Sequence, residues 1–219
     1  MTLQRPKAVL FDLDGTLLDT APDLKSALNE ILAAESLPEV EEQEFRPAVS
    51  DGAIAMLTVG FGNRLANYDV AALRKRYLAL YEQIGCRDSR LFTGISLLLS
   101  ALAEQDIQVA IVTNKPTFLT LPLLKQLPEL SQIPVVVCGD TLAVSKPHPE
   151  PLLHAAAQLK IAAQECWYVG DADRDVAAAK AAGMQSIVAM WGYIPSASQA
   201  YTWQADHYAT NPEALIHKI

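Results

Sequence analysis

The spacing of apolar and polar positions divides the chain into two regimes. The first opens with an apolar run, Ala8 to Phe11, that stops at Asp12-Leu13-Asp14-Gly15-Thr16. A short apolar run ending in polar and glycine residues predicts a buried strand over 8–12. Helical spacing then takes over. Leu24, Ala27, Leu28, Ile31 and Leu32 predict a helix over 21–35, with Pro22 suited to its first turn. The acidic stretch 39–47 begins a second, short helix. Asp51 is placed to cap a third, which carries Ile54, Ala55, Met56 and Val59. Asp69 is placed to cap a fourth, running through Leu73, Tyr77, Leu80 and Tyr81 to about Ile84.

From Phe92 the rhythm changes. Helices are predicted at about 95–105, 117–126, 149–159 and 173–182. Between and after them lie apolar strands at 109–112, 134–138, 166–169 and 186–190. Strands alternating with helices predict an α/β fold, a parallel sheet with helices on both faces. The helical block is then an insertion after the first strand. This sets residues 1–19 and 86–219 as the α/β core and 20–85 as a separate helical domain.

Composition narrows the chemistry. Of 219 residues, 51% are hydrophobic, enough for a buried core and far from a disordered chain. The formal net charge of −8 argues against nucleic acid as a partner. Cys86, Cys138 and Cys166 form no CxxC pair or disulfide framework and read as reduced thiols. No stretch has the pattern of a signal peptide or the length of a membrane span, which predicts a cytoplasmic protein with no membrane partner.

Four polar clusters adjoin the strands. Asp12 and Asp14 lie on one side of the first strand's end, with Leu13 turned away. Two such acids suit a metal site, a nucleophile or an acid/base pair. Thr113-Asn114-Lys115 ends the strand at 109–112. Ser145-Lys146-Pro147-His148-Pro149 precedes a helix. Gly170-Asp171-Ala172-Asp173-Arg174-Asp175 ends the strand at 166–169. In a parallel sheet the carboxyl ends of the strands share one edge, where ligands bind.

In order and spacing, these clusters resemble the four motifs of the haloacid dehalogenase-like hydrolases across nearly the whole chain. The resemblance implies a Rossmann-like core with an inserted α-helical cap. It implies Asp12 as a nucleophile that becomes an aspartyl-phosphate, and Asp14 as acid for the leaving group, then base for water. Thr113 and the Asn114 backbone would hold phosphoryl oxygens, and Lys146 would neutralise the nucleophile and phosphoryl group. Mg²⁺ would be bound by Asp12, Asp171 and the main-chain carbonyl of Asp14, with Asp175 orienting that shell from behind. These roles agree with the chemistry. A carboxylate attacking a phosphate dianion needs a hard cation and fixed positive charge between them.

An acid at Asp14 favours phosphoryl transfer over dehalogenation within the resemblance. Asn114-Lys115-Pro116, Lys146-Pro147-His148-Pro149 and Gly192-Tyr193-Ile194 look most like phosphoglycolate phosphatases, and N-acetylmuramic acid 6-phosphate phosphatases share them. The implied partner is a small phosphorylated metabolite. A phosphosugar mutase of the same superfamily and a non-catalytic phosphoryl-binding regulator are the alternatives. Ser50-Asp51-Gly52 is the cap loop expected to meet substrate, because glycine permits close approach. Arg46 and Arg64 are the cap's candidates for a substrate carboxylate. Asp19 and Asp23 read as helix caps or solvated acids rather than metal ligands. The Trp191-Gly192-Tyr193 turn reads as aromatic packing, with a place at the border of the site as the alternative.

Overall fold

The computed structural model describes residues 3–219. Contacts within it define two compact units. Residues up to Leu18 join Leu91–Ile219 in one, and Asp19–Arg90 make the other.

The chain begins in the first unit with β1 (Ala8–Phe11). It leaves through β2 (Leu18–Asp19) and returns through β3 (Arg90–Leu91). Between these lie α1 (Ala21–Ala34), α2 (Glu42–Val49), α3 (Ala53–Phe61) and α4 (Val70–Ile84). The first unit resumes with α5 (Ile95–Glu104), β4 (Gln108–Val112), α6 (Thr117–Leu124), α7 (Pro128–Ser131) and β5 (Val135–Val137). It ends with α8 (Glu150–Leu159), β6 (Cys166–Gly170), α9 (Asp173–Ala182), β7 (Gln185–Ala189), α10 (Ala197–Thr202), β8 (His207–Ala209) and α11 (Glu213–Ile216).

Among the described residues, six parallel strands form one sheet in the order β5-β4-β1-β6-β7-β8. β1 is central, and all four of its residues are buried. That burial on both faces is why it reads as an unbroken apolar run rather than an alternating one. Its register sets Phe11 beside Ile111 of β4 and Val169 of β6. On one face, Ala8, Leu10, Ala110, Val112, Val137 and Tyr168 pack against Leu152, Ala155 and Ala156 of α8 and Ala178, Ala179 and Ala182 of α9. The small residues of α8 and α9 let those helices lie close on the sheet. β8 and the short helices α7, α10 and α11 were not anticipated; each has at most six residues, too few for a period to show.

In the second unit, Asp69 caps α4 as expected, its side chain accepting from Ala71 N and Ala72 N, both at 3.0 Å. Asp51 does not cap α3. The cap residue is Gly52, with φ +84°. Nothing lies within 4 Å of where a Gly52 Cβ would stand, so left-handed backbone rather than crowding explains this glycine. Asp23 is not a solvated acid. It is fully buried and accepts from Asp88 N, Ser89 N at 2.8 Å and Ser89 Oγ at 2.6 Å. It thus satisfies the backbone of the returning segment from the first turn of α1. Asp23→Ala would strand those donors, and is expected to lower the unfolding free energy by about 2–4 kcal/mol. Urea denaturation of the purified variant measures this; an unchanged midpoint would show that the donors find other acceptors.

Among the described residues, no helix is long and apolar enough to cross a membrane.

Candidate active site

The register of the sheet gathers the polar clusters on one edge. Asp12 follows β1 and its amide donates to Val169 O of β6 at 2.9 Å. Thr113 follows β4 and its amide donates to Val137 O of β5 at 2.9 Å. Asp171 follows β6 directly. The backbones of Asp12 and Thr113 are therefore held by the neighbouring strand for one residue beyond their own strands, so those two side chains start from a rigid base.

Lys146 is the centre of the arrangement. It is only 3% exposed, and its Nζ lies 3.0 Å from Asp12 Oδ1, 2.8 Å from Asp175 Oδ1 and 2.7 Å from Tyr168 OH. Three donors thus meet three acceptors, and the Tyr168 hydroxyl donates onward to Val112 O at 2.8 Å. Burial works against the ammonium charge, but the Asp12 and Asp175 carboxylates outweigh it and hold the lysine above its ordinary pKa. The same burial and the nearby carboxylates push the Tyr168 hydroxyl well up, so it stays a neutral donor.

The backbone of Lys146 is fixed by Asn114. The Asn114 Nδ2 donates to Lys146 O at 2.9 Å, and Lys146 N donates to Asn114 Oδ1 at 3.0 Å. A Cβ at Gly139 would stand 2.2 Å from Asn114 O, so only glycine allows that approach. Thr113 Oγ1 accepts from Lys115 N at 3.2 Å, which leaves its own O–H to be donated elsewhere.

Asp12, Asp171 and Asp175 each bring a carboxylate oxygen within 4.8 Å of the others, and all three are buried. An all-oxygen donor set suits a hard divalent cation. Both Asp175 oxygens are already engaged, Oδ1 by Lys146 and Oδ2 by Ala172 N at 3.0 Å. That suits Asp175 to orienting the others rather than to direct coordination. Asp171 Oδ2 accepts from Tyr193 N at 2.8 Å. A Cβ at Gly15, whose φ is +79°, would stand 2.1 Å from that oxygen, and one at Gly192 would stand 2.4 Å from Asp171 Cβ. The two glycines thus close a cradle around Asp171.

The Trp191-Gly192-Tyr193 turn is therefore more than aromatic packing: it is built against the acid cluster, and Trp191 Nε1 also donates to Thr16 O at 2.9 Å. Two further residues escaped the sequence reading. Tyr168 pairs in register with Leu10, on the sheet face that carries α8 and α9, and strand alternation could have revealed it. Lys115 is 9% exposed, and its Nζ sits 2.9 Å from Asp14 Oδ1 and 3.3 Å from Asp14 Oδ2. It belongs to the same strand-end cluster as Thr113 and Asn114, so its position was visible but its partner was not.

Ser50, Asp51 and Gly52 lie in the Asp19–Arg90 unit, at the junction of α2 and α3. Arg46 of the same unit is engaged by Asp19 Oδ2 at 2.9 Å and Glu42 Oε1 at 3.1 Å. A substrate carboxylate would have to compete with both acids for it.

Residues 9–189 match the family model of haloacid dehalogenase-like hydrolases. A phosphoglycolate phosphatase of Xanthomonas campestris pv. campestris is 44% identical over 213 residues, spanning 96% of this chain and 95% of its own. An N-acetylmuramic acid 6-phosphate phosphatase of Pseudomonas aeruginosa is 39% identical over 216 residues, spanning 99% and 96%. The crystal structure of a predicted phosphoglycolate phosphatase from Haemophilus somnus 129PT superposes with a TM-score of 0.86 at 25% identity, covering 98% of both chains.

Proposed function

The chain belongs to the haloacid dehalogenase-like hydrolases and is an enzyme of their phosphatase kind; from that premise we propose that it cleaves a small phosphorylated metabolite in the cytoplasm through an aspartyl-phosphate on Asp12. The observation that carries this reading is the buried ammonium of Lys146, wedged between the Asp12 and Asp175 carboxylates, with Asp14 two residues beyond Asp12.

In the first half-reaction an Asp12 oxygen bonds to phosphorus and the ester P–O bond breaks. The electron pair stays on the leaving oxygen, which takes a proton from the Asp14 carboxyl group. In the second, water attacks phosphorus, the electrons of the Asp12–phosphorus bond return to the carboxylate, and Asp14 takes the water's proton. The Thr113 hydroxyl and the Asn114 main-chain N–H are the donors for phosphoryl oxygens, and the Lys146 ammonium neutralises the nucleophile and the phosphoryl charge. A low-dielectric setting makes such fixed charge effective. A divalent cation fits the donor set. Mg²⁺ would be held by Asp12, Asp171 and the Asp14 carbonyl, and would supply charge neutralisation between nucleophile and phosphate.

The resemblance assigns substrate choice to the Asp19–Arg90 unit, with Ser50, Asp51 and Gly52 as its candidate substrate contacts. Phosphoglycolate is the first substrate to test, because the 44% identical relative carries that activity in its name. N-acetylmuramic acid 6-phosphate is the second, supported by the 39% identical relative that matches 99% of the chain.

A phosphate-release panel of these two esters, a hexose phosphate and p-nitrophenyl phosphate tests the reading. Release is expected with Mg²⁺ and without any bisphosphate activator. It should stop on chelation and recover poorly with Ca²⁺, whose looser coordination would misplace the acids. Absence of release from every ester would refute a phosphatase. A requirement for a sugar bisphosphate would make it a mutase.

A further inference from the structure

We propose that Lys115 is a positioning residue for the leaving-group step, holding the Asp14 carboxyl group aimed at the ester oxygen. The proposal rests on the reading of Asp14 as the proton donor and acceptor. Its own basis is the geometry around Lys115.

The Lys115 ammonium contacts both oxygens of Asp14, at 2.9 and 3.3 Å, and the lysine is buried. A two-point contact fixes the rotation of the carboxyl group as well as its position. The lysine can impose that geometry because its own backbone is held on both sides. Its amide donates to Thr113 Oγ1 at 3.2 Å, and its carbonyl accepts from Gly139 N at 3.0 Å and Thr120 Oγ1 at 3.3 Å. Thr113, Lys115 and Asp14 thus form one connected set, reaching from the phosphoryl side of the reaction to the leaving-group side.

The backbone of Asp14 lies beyond the end of β1, bridged to Leu18 of β2 just before a turn at Gly15 with φ +79°, and the Lys115 contact adds a constraint on the side chain itself. Lys146 serves the nucleophile, and Lys115 serves the acid/base. The two buried lysines are therefore not interchangeable.

The test is Lys115→Met, which keeps the stem and removes the charge, with Lys115→Gln as a second variant should the first not fold. Each is measured on an alkyl phosphomonoester, whose leaving oxygen needs a proton, and on p-nitrophenyl phosphate, whose leaving group does not. A misaimed acid costs about 10- to 100-fold in kcat/KM on the alkyl ester and less than about threefold on the nitrophenyl ester. In an Asp14→Asn background, Lys115→Met should cost nothing further, because its target is gone. Equal losses on both esters, or a full additional loss in the Asp14→Asn background, would overturn the proposal. If Asp14→Asn alone shows no leaving-group dependence, the reading of Asp14 fails first and the role of Lys115 falls with it.

Discussion

Asp12→Asn is expected to abolish phosphate release while leaving the protein folded. The amide has nearly the shape of the carboxylate, and its remaining carbonyl oxygen can still accept from Leu13 N, which donates to Asp12 Oδ1 at 2.8 Å. Lys146 keeps Asp175 and Tyr168 as acceptors, at 2.8 and 2.7 Å, so the buried ammonium is not left without partners. The missing feature is a nucleophile. Losing a residue that forms the covalent intermediate costs on the order of 10⁶-fold in kcat where it has been measured in hydrolases. Single-turnover assays and mass spectrometry of a freshly purified, deamidation-free sample provide the check. The variant should bind substrate, show no phosphoryl adduct and melt close to the parent temperature. Retained turnover would remove Asp12 from the nucleophile's role.

Lys146→Met is expected to damage both activity and stability. Activity falls because the fixed charge beside the nucleophile is lost; removing one preorganised donor to developing charge costs about 10²–10³-fold in kcat. All phosphoesters should lose alike, since the lost charge acts on the group they share. Stability falls because Asp12 and Asp175 would face each other as buried carboxylates with no cation. Breaking a buried ion pair from one side costs about 3–5 kcal/mol. Lys146→Arg should not rescue it, since a planar fork cannot meet three acceptors grouped around one nitrogen. Calorimetry alongside the ester panel separates the two effects. Loss of activity confined to one ester would instead make Lys146 a specificity residue.

Much of this molecule was legible in the chain. β1 could be read because a strand buried on both faces must be apolar throughout, and its abrupt end at Asp12 marks the sheet edge. The two long helices of the Asp19–Arg90 unit, α1 and α4, could be read because amphipathic spacing over ten or more residues leaves a clear period. Candidate acids could be read because their positions follow strands, and parallel strands deliver their ends to one edge. The caps were less secure. Asp51 has the right residue type for an N-cap, yet the backbone turned one residue later, at Gly52.

Pairings decided by distance were beyond reach. Asp23 is a polar residue in a first helical turn, where acids are ordinarily solvated. Only folding shows that it accepts from residues 88 and 89, more than sixty positions away. Asn114 was assigned for its backbone, and its side chain turned out to hold the backbone of Lys146, thirty-two positions on. Gly192 looked like a turn residue until Asp171 appeared against it. Residue type and order along the chain determined the strands, the helical insertion and the identity of the chemical groups, because these depend on local periodicity and on covalent sequence. Which lysine serves which aspartate depended on tertiary structure alone. Lys115 and Lys146 carry the same charge, one just past a strand end and the other just ahead of a helix, and only the folded backbone sets one against Asp14 and the other between Asp12 and Asp175.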